Sequence, residues 1–492
     1  MKYKVLGISL CIILLVVCSM NLPLLFAKDT GRYHQHQEVQ EKKPCSHTNE
    51  IFCTHLPLMS IDTVGGIEIP GKAIKEGHKT VGYTVAEDGS DRISAEISVF
   101  DSEGHNNHLS DTPTHTSNAT IHVRGNSSRT FDKLGYRINL MNEKGENNPQ
   151  SLMGMDAHHE WALHGPILDK TLMRNYMWYN IAGEIMDYAP NVRFCELIIN
   201  GEYMGVYVLT EIITAGKEGA RLNLTVDAKD NTFTGYLLLL DRIDGEESDR
   251  LKSFTTYTYN TKHKLEIKYP GRSNMTEKMY EGIKQDFSGF EKSLYSYDYD
   301  NNDYGYETYI DVDSFVDYFL INEFTCNYDA GWLSTFIYKD IDGKMRMCIW
   351  DFNSACDNYQ QSFMVPNEFD MQNCLWYTML FKDEDFTERC IERYRELRKT
   401  YLSEEYLCQY IDDVVDYLGP AIERNYEKWG YYFTEEYDLL NPTERNPRTY
   451  AQSVENMKEF IRIRGRWMDE SIETLRQYSS ESKVKKFNEN AN

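Results

Sequence analysis

Short apolar runs separated by turn residues fill the first third of the chain. Between residues 56 and 142, LPLMSIDT, HKTVGYTVAED, ISAEISVFD, ATIHVRG and YRINLMN alternate hydrophobic and polar positions at period two. That is the pattern of antiparallel strands with one face buried. At 171–186 the period changes. Leu172, Met173, Tyr176, Met177, Tyr179, Ile181 and Ile185 fall at helical spacing, and Asp169 is placed to cap the helix. Two apolar, β-branched runs at 192–199 and 202–211 flank Asn200-Gly201, the dipeptide best suited to a two-residue hairpin turn. The run 234–241 (TGYLLLLD) is apolar enough for a buried strand. Beyond about residue 275 the texture is helical: Asp313 is read as the cap of a run through Phe315, Phe319, Leu320 and Phe324, and 383–477 is largely helical. A second hairpin, 334–340 with 344–350 around Asp342-Gly343, interrupts this half. The fold class expected is α+β, with a β-rich part followed by a mainly helical one.

The second hairpin brings candidate chemistry together. If Asp342 and Gly343 form a type I′ turn, Ile341 pairs with Lys344 and Ser334 stands opposite Asp351. Asp329 lies in a glycine-containing loop five residues before Ser334. Two carboxylates and a hydroxyl would then converge at the open end of the hairpin. Such a set suits a cation that holds a polyphosphate, with one carboxylate on the metal and the other positioning a nucleophilic hydroxyl. The competing reading is two loop aspartates that cap turns.

Charge and composition narrow the partners. A formal net charge of −25 over 492 residues argues against a nucleic-acid polymer, so a phosphate ligand needs a local cationic pocket. Residues 5–26 are almost wholly apolar and follow Lys2 and Lys4. They read as a signal peptide ending near Ala27, with a signal anchor in the membrane as the alternative, and the product is expected to be secreted or held at the cell surface. The polar segment 28–55 reads as a flexible linker, and 479–492 as a polar tail. Of eleven cysteines, Cys11 and Cys18 lie in the leader. Cys45 and Cys53 are near enough in sequence to bridge, whereas Cys195 and Cys348 fall within strands and read as small buried hydrophobes. Cys45-Ser46-His47 and Cys53-Thr54-His55 match no standard zinc spacing. The Tyr/Asp-rich stretch 296–313 lacks the glycine and glutamate positions of a calcium loop and reads as a solvated loop.

Seven stretches occur together in an order that resembles the CotH (spore coat protein H) family of atypical secreted protein kinases. They are LPLMSIDT, VRGNSSRTFDKLGYRINL, WALHGPILDKTLMRN, FCELIINGEYMGVYVLTE, GYLLLLD, NEFTCNYDAGWLSTFIYKD and CIWDFNSA. The resemblance spans most of residues 56–360. It implies an atypical protein-kinase-like two-lobed fold, with a β-rich N-lobe at 56–270 and a mainly helical C-lobe at 271–478. It also implies ATP with Mg²⁺ or Mn²⁺, and a protein acceptor on the cell surface or outside the cell. By the same resemblance Asp329 takes the place of the kinase catalytic base, and Asp351 that of the metal-binding aspartate. Arg124, Gly125, Asn126, Ser127 and Ser128 correspond to the phosphate loop. Either Lys133 or Arg137 would be the phosphate-pairing cation, Arg174 would orient the site, and Glu211 would meet adenine or ribose.

Two positions depart from the family pattern. Asn353 replaces a second acid two residues after Asp351, and Ser334 or Thr335 stands where an asparagine often follows the catalytic aspartate. Ser334 and Asn353 thus become weaker, neutral metal ligands. The function expected is transfer of the ATP γ-phosphate to Ser or Thr of a surface or extracellular protein. The alternative is a catalytically weak or inactive pseudokinase that serves as an envelope assembly scaffold.

Overall fold

The alternating run 93–100 buries Ile93, Ala95, Ile97 and Val99 and turns Ser94 and Glu96 to solvent. In the computed structural model, which describes residues 32–37, 52–216, 222–226, 233–242, 250–255, 264–361 and 365–482, strands of this kind build a barrel. The chain divides into residues 1–34, of which 32–34 are described and form no helix or strand, and residues 35–492, which contain everything that follows. The apolar segment 5–26 and Cys45 lie outside the described residues. Part of the expected linker is packed rather than tethered: the Gln35 amide donates to Phe194 O at 3.1 Å, and the His36 ring meets the Tyr176 hydroxyl at 2.9 Å.

In chain order the first strands are β1 (Leu58–Thr63), β2 (Ala73–Glu76), β3 (Lys79–Tyr83), β4 (Ile93–Phe100), β5 (His115–Arg124), β6 (Gly135–Met141), β7 (Glu160–His164), β8 (Val192–Ile199) and β9 (Glu202–Glu211). Seven of them close in the order β1-β4-β5-β6-β7-β9-β8, and β2-β3 forms a separate hairpin. Closure leaves the seven strands no exposed edge. It depends on β1 pairing in parallel with β8, Leu58 beside Glu196, while every other barrel pair is antiparallel. The β-rich first part expected is present, and the closure of its strands into a barrel was not foreseen. Alternation marks which face of a strand is buried, but a parallel partner more than a hundred residues away leaves no local trace. The Asn200-Gly201 turn forms as expected, both residues with positive φ (50° and 79°).

Helix α1 (Arg174–Ile185) is buried on almost every side. It packs Tyr176, Met177 and Ile181 with Phe194, Val206 and Val208 of the barrel wall and with the helical half of the protein. Met173 is its N-terminal boundary residue, yet Asp169 still accepts the Arg174 N–H at 2.7 Å, the capping contact expected of it.

A second sheet has the order β11-β10-β12-β13, from β10 (Tyr236–Asp241), β11 (Lys264–Tyr269), β12 (Thr335–Lys339) and β13 (Arg346–Cys348). The expected register of the β12–β13 hairpin is off by one residue: Phe336 faces Cys348 and Tyr338 faces Arg346. The turn is wider than a two-residue one. Gly343 N–H bonds Asp340 O at 3.0 Å, and neither Asp342 nor Gly343 has positive φ. Asp340 determines this, because its carboxylate accepts the N–H groups of Ile341 and of Thr225 from a distant segment.

Among the described residues the remaining helices longer than one turn are α2 (Glu277–Leu294), α3 (Val312–Thr325), α4 (Glu384–Leu397), α5 (Glu404–Leu418), α6 (Pro420–Trp429) and α7 (Tyr450–Ser471). Thr276, Asp383, Ser403 and Thr449 cap α2, α4, α5 and α7 with their side chains. The cap of α3 is Asp311, two residues before the Asp313 expected. The stretch 296–313 is not simply solvated. Tyr306 is fully buried and its hydroxyl donates to Asp383 at 2.6 Å, tying this stretch to the start of α4.

Candidate functional site

A cleft of about 270 Å³ lies where the barrel rim meets the second sheet and the helical half. Five segments line it, and each arrives for a local reason.

The first is the 125–128 loop after β5. Gly125 has φ +106°, and a Cβ there would stand 1.9 Å from Ser128 Oγ, so only glycine allows the loop to fold back on itself. Arg124 ends β5 just before it, with its guanidinium 5.4 Å from the Trp350 ring centroid. The second is the end of β7, which delivers His164. Burial and the nearby Arg124 hold this imidazole down to about 4 against the pull of Asp351, so it is neutral at physiological pH.

The third is the end of β10. Leu240 pairs with Thr335, which puts Asp241 beside Ser334. Burial raises the Asp241 pKa, opposed by the N–H and charge of Arg242. The fourth is the loop after α3. Cys326 closes the helix in the left-handed conformation, φ 47°, and Asp329 then accepts the Leu333 N–H through its carbonyl at 2.7 Å. Burial pushes the Asp329 carboxyl up to about 6; the negative charges of Asp351 and Asp241 add to the shift, and Arg242 opposes it.

The fifth is the segment after β13. Asp351 has φ 62°, and four side chains hold the backbone around it. Tyr179 Oη accepts its N–H at 2.9 Å, Asn327 Nδ2 donates to its carbonyl at 3.0 Å, and Asn175 Oδ1 accepts the Phe352 N–H at 2.7 Å. Arg174 donates to Ala355 O and Cys356 O. Helix α1 therefore fixes the carboxylate through main-chain contacts and leaves its side chain facing the cleft.

The result is three carboxylates, Asp241, Asp329 and Asp351, with two guanidiniums, Arg124 and Arg242, around one space. Asn353 Oδ1 and His164 Nε2 are buried there without hydrogen-bond partners. Hard oxygen donors with an unpaired amide oxygen among them suit Mg²⁺ or Mn²⁺, and backbone amides beside two guanidiniums suit a polyphosphate. A family model described as CotH kinase protein matches residues 121–468, well over half of the chain.

The chain belongs to the CotH kinase family. No curated protein matches it significantly. Membership makes it a kinase-like protein, and the matched span contains all five segments of the cleft. Nine of the site residues named from the sequence line the cleft: Arg124, Gly125, Asn126, Ser127 and Ser128 from one segment, Asp329, Ser334, Asp351 and Asn353 from two others. Four stand elsewhere. Lys133 is buried in the seam between barrel and helices, where Nζ donates to Val206 O at 2.7 Å and to Asn425 Oδ1 of α6 at 2.8 Å. Arg137 pairs with Glu160 on the neighbouring strand at 2.6 Å. The Glu211 carboxylate accepts the Asn191 backbone and side-chain N–H groups, and Arg174 acts on the main chain behind Asp351. Sequence reasoning missed Asp241, Arg242 and His164. Asp241 ends a buried apolar strand and Arg242 follows it, and two opposite charges in that position were the available signal.

The two kinds of cation separate experimentally. Arg124→Met is expected to weaken ATP binding about tenfold or more, the worth of a charge-assisted hydrogen bond. Lys133→Met is expected to leave ATP affinity within about twofold while costing about 1–3 kcal/mol of stability, because Val206 O loses its donor. Calorimetric titration with nucleotide and chemical denaturation of both variants check this.

Proposed function

We propose that this CotH kinase is an exported, metal-dependent protein kinase that transfers the γ-phosphate of ATP to Ser or Thr of a surface or extracellular protein. The observation that carries the reading is that Arg124, at the end of β5, and Arg242, just after β10, line one cleft with Asp241, Asp329 and Asp351. The barrel side would act as the nucleotide lobe of a two-lobed kinase arrangement and the helical half as the acceptor lobe. The apolar segment 5–26 supports export, through a cleaved signal or a membrane anchor. Among the described residues no helix is long and apolar enough to cross a membrane.

The chemistry asked of these residues is mostly positioning and charge neutralisation. Arg124, with the N–H groups and hydroxyls of 125–128, binds phosphate oxygens. Asp351, Asn353 and Asp241 would hold Mg²⁺ or Mn²⁺, which supplies positive charge against the phosphates when bound. Asp329 orients the acceptor hydroxyl and takes its proton as oxygen bonds to the γ-phosphorus and the bond from that phosphorus to the ADP oxygen breaks. Neutral His164 contributes no competing charge beside Arg124.

A direct test incubates the protein with ATP labelled at the γ- or the α-phosphate, with Mg²⁺ or Mn²⁺ and a mixture of extracellular proteins. Label transferred from the γ position alone supports the kinase. Nucleotide-dependent thermal stabilisation without transfer assigns the pseudokinase scaffold, a reading favoured by the neutral Asn353 at an acid's position. No stabilisation by any nucleotide overturns the kinase and favours the scaffold.

The raised Asp329 adds a pH signature. Its proton is retained first because the carboxyl is buried and then because Asp351 and Asp241 add negative charge, so by linkage a cation beside them weakens that hold. Metal affinity is therefore expected to fall as pH drops through about 6. Isothermal titration with Mn²⁺ at pH 5 and pH 7.5 reads this directly, and equal affinities would remove Asp329 from the metal's surroundings.

A further inference from the structure

The loop joining β4 to β5 carries three side chains that the cleft does not use. His105 Nδ1 stands 4.0 Å and His108 Nδ1 3.1 Å from the same oxygen, Asp111 Oδ2, and one ligand atom from each residue falls within a 4.8 Å set. Donors about 2.0–2.1 Å from a zinc ion lie no more than about 4.2 Å apart, so both nitrogens are already within reach of a cation shared with that oxygen. His105 Nδ1 lies 2.7 Å from Asn106 O, and the exposed ring, at 56% of its side-chain surface, has room for the rotation that gives up this carbonyl and the Nδ1 proton to complete the set.

The loop is built to hold its shape. Asn107 exchanges backbone hydrogen bonds with Thr54 in both directions, at 3.2 and 2.7 Å, and its amide donates to Leu56 O at 2.8 Å. The Ser102 N–H donates to Asn107 Oδ1 at 2.8 Å. Within the loop, the Asp111 carboxylate accepts the His108 N–H at 2.9 Å, and the Asp111 N–H returns to His108 O at 3.2 Å. His108 is almost wholly enclosed, 3% exposed, so its ring cannot turn aside. Two of the three donors are thereby held in place before any ligand arrives, which lowers the ordering cost of binding.

We propose that His105, His108 and Asp111 form a binding site for a divalent late transition metal, Zn²⁺ being the representative ion. Two imidazoles and one carboxylate are borderline donors that favour zinc, copper or nickel over Mg²⁺ and Ca²⁺, which prefer oxygen alone. Water completes the coordination on the exposed side of His105. His108 binds through Nδ1 and carries its proton on Nε2. Because Asn107 ties the loop to the 54–56 segment that leads into β1, the ion clamps the entry of the barrel. None of the three residues lines the cleft, so the site is independent of the kinase reading.

Equilibrium dialysis of the full chain against Zn²⁺, in excess Mg²⁺ to cover the cleft carboxylates, tests the proposal. His105→Ala and Asp111→Asn are each expected to weaken one zinc equivalent at least about tenfold, and Asp351→Asn to leave it unchanged. Co²⁺ in place of zinc should give visible ligand-field bands without thiolate charge transfer. Cys53 is the thiol to exclude, since the Asn106 amide touches its sulfur at 3.2 Å. Unchanged zinc binding in both loop variants overturns the site, as does a thiolate band that Cys53→Ser abolishes. His105 is exposed, so its variant folds and keeps the comparison valid even where Asp111→Asn does not.

Discussion

Asp351→Asn is expected to reduce phosphoryl transfer about a thousandfold and to abolish stabilisation of the protein by ATP with Mg²⁺, while making the protein more stable without them. The loss follows from removing the anionic ligand best placed for the metal, whose charge neutralisation is worth several kcal/mol. Asparagine is the informative replacement because Asp351 sits at φ 62°, a conformation asparagine tolerates far better than alanine does. Its backbone contacts with Tyr179 and Asn327 involve the N–H and carbonyl, which the substitution leaves intact. The gain in stability follows from repulsion. Asp329 is held up to about 6 by burial and then by the charge of Asp351. A carboxyl whose pKa is raised by folding contributes stability at low pH that is lost as pH rises through the raised value. With Asp351 neutral that loss shrinks, so the variant's thermal midpoint without ligand should exceed that of the unaltered protein near pH 7.5, and the two should converge near pH 4. Transfer at the unaltered rate, or undiminished stabilisation by nucleotide and metal, would remove Asp351 from the site.

The cleft was legible in the sequence to the extent that its parts are local. Asp329 and Asp351 flank a hairpin whose strands show in the alternation, and Gly125 with its serines shows as a break between two strands. They meet despite the one-residue error in register, because both belong to loops outside the paired residues. What could not be read was contact at long range. Lys133 lies nine residues beyond Arg124, and its partner Asn425 is 292 residues away from it. Nothing near either position indicates that the ammonium turns into the barrel–helix seam instead of the cleft. Asp241 was hidden for a similar reason: only the pairing of β10 with β12 reveals that a strand end meets the Ser334 loop. Barrel closure by β1 and β8 belongs to the same class. Periodicity identifies buried faces, and pairing between distant strands decides which loops share a site.

The largest stability effect is expected from the pair of Arg464 in α7 and Glu323 in α3, both side chains wholly buried. Arg464 donates to the Glu323 carboxylate and also to Glu323 O, Pro366 O and Glu368 O, at 2.8, 2.8 and 2.7 Å. The Glu323 carboxylate accepts the N–H groups of Asp370 and Met371 as well. Arg464→Met should cost about 3–5 kcal/mol, because it strands a buried carboxylate and three carbonyl acceptors. The deficit should depend on pH in a definite direction. Burial already raises the Glu323 pKa, and Arg464 is the chief opposing influence, so removing the guanidinium raises it further. Stability associated with a raised carboxyl is present at low pH and lost as pH rises, so the variant should lie closer to the unaltered protein at pH 5.5 than at pH 8. Glu323→Gln combined with Arg464→Met should recover part of the loss, since a neutral amide needs no counter-charge. Helix α3 leads into the loop that carries Asp329, so the single variant should also inactivate at a lower temperature while retaining cleft chemistry in the cold. Urea midpoints at the two pH values decide the matter: an equal deficit at both would mean that the cost comes from lost packing and not from an unpaired charge.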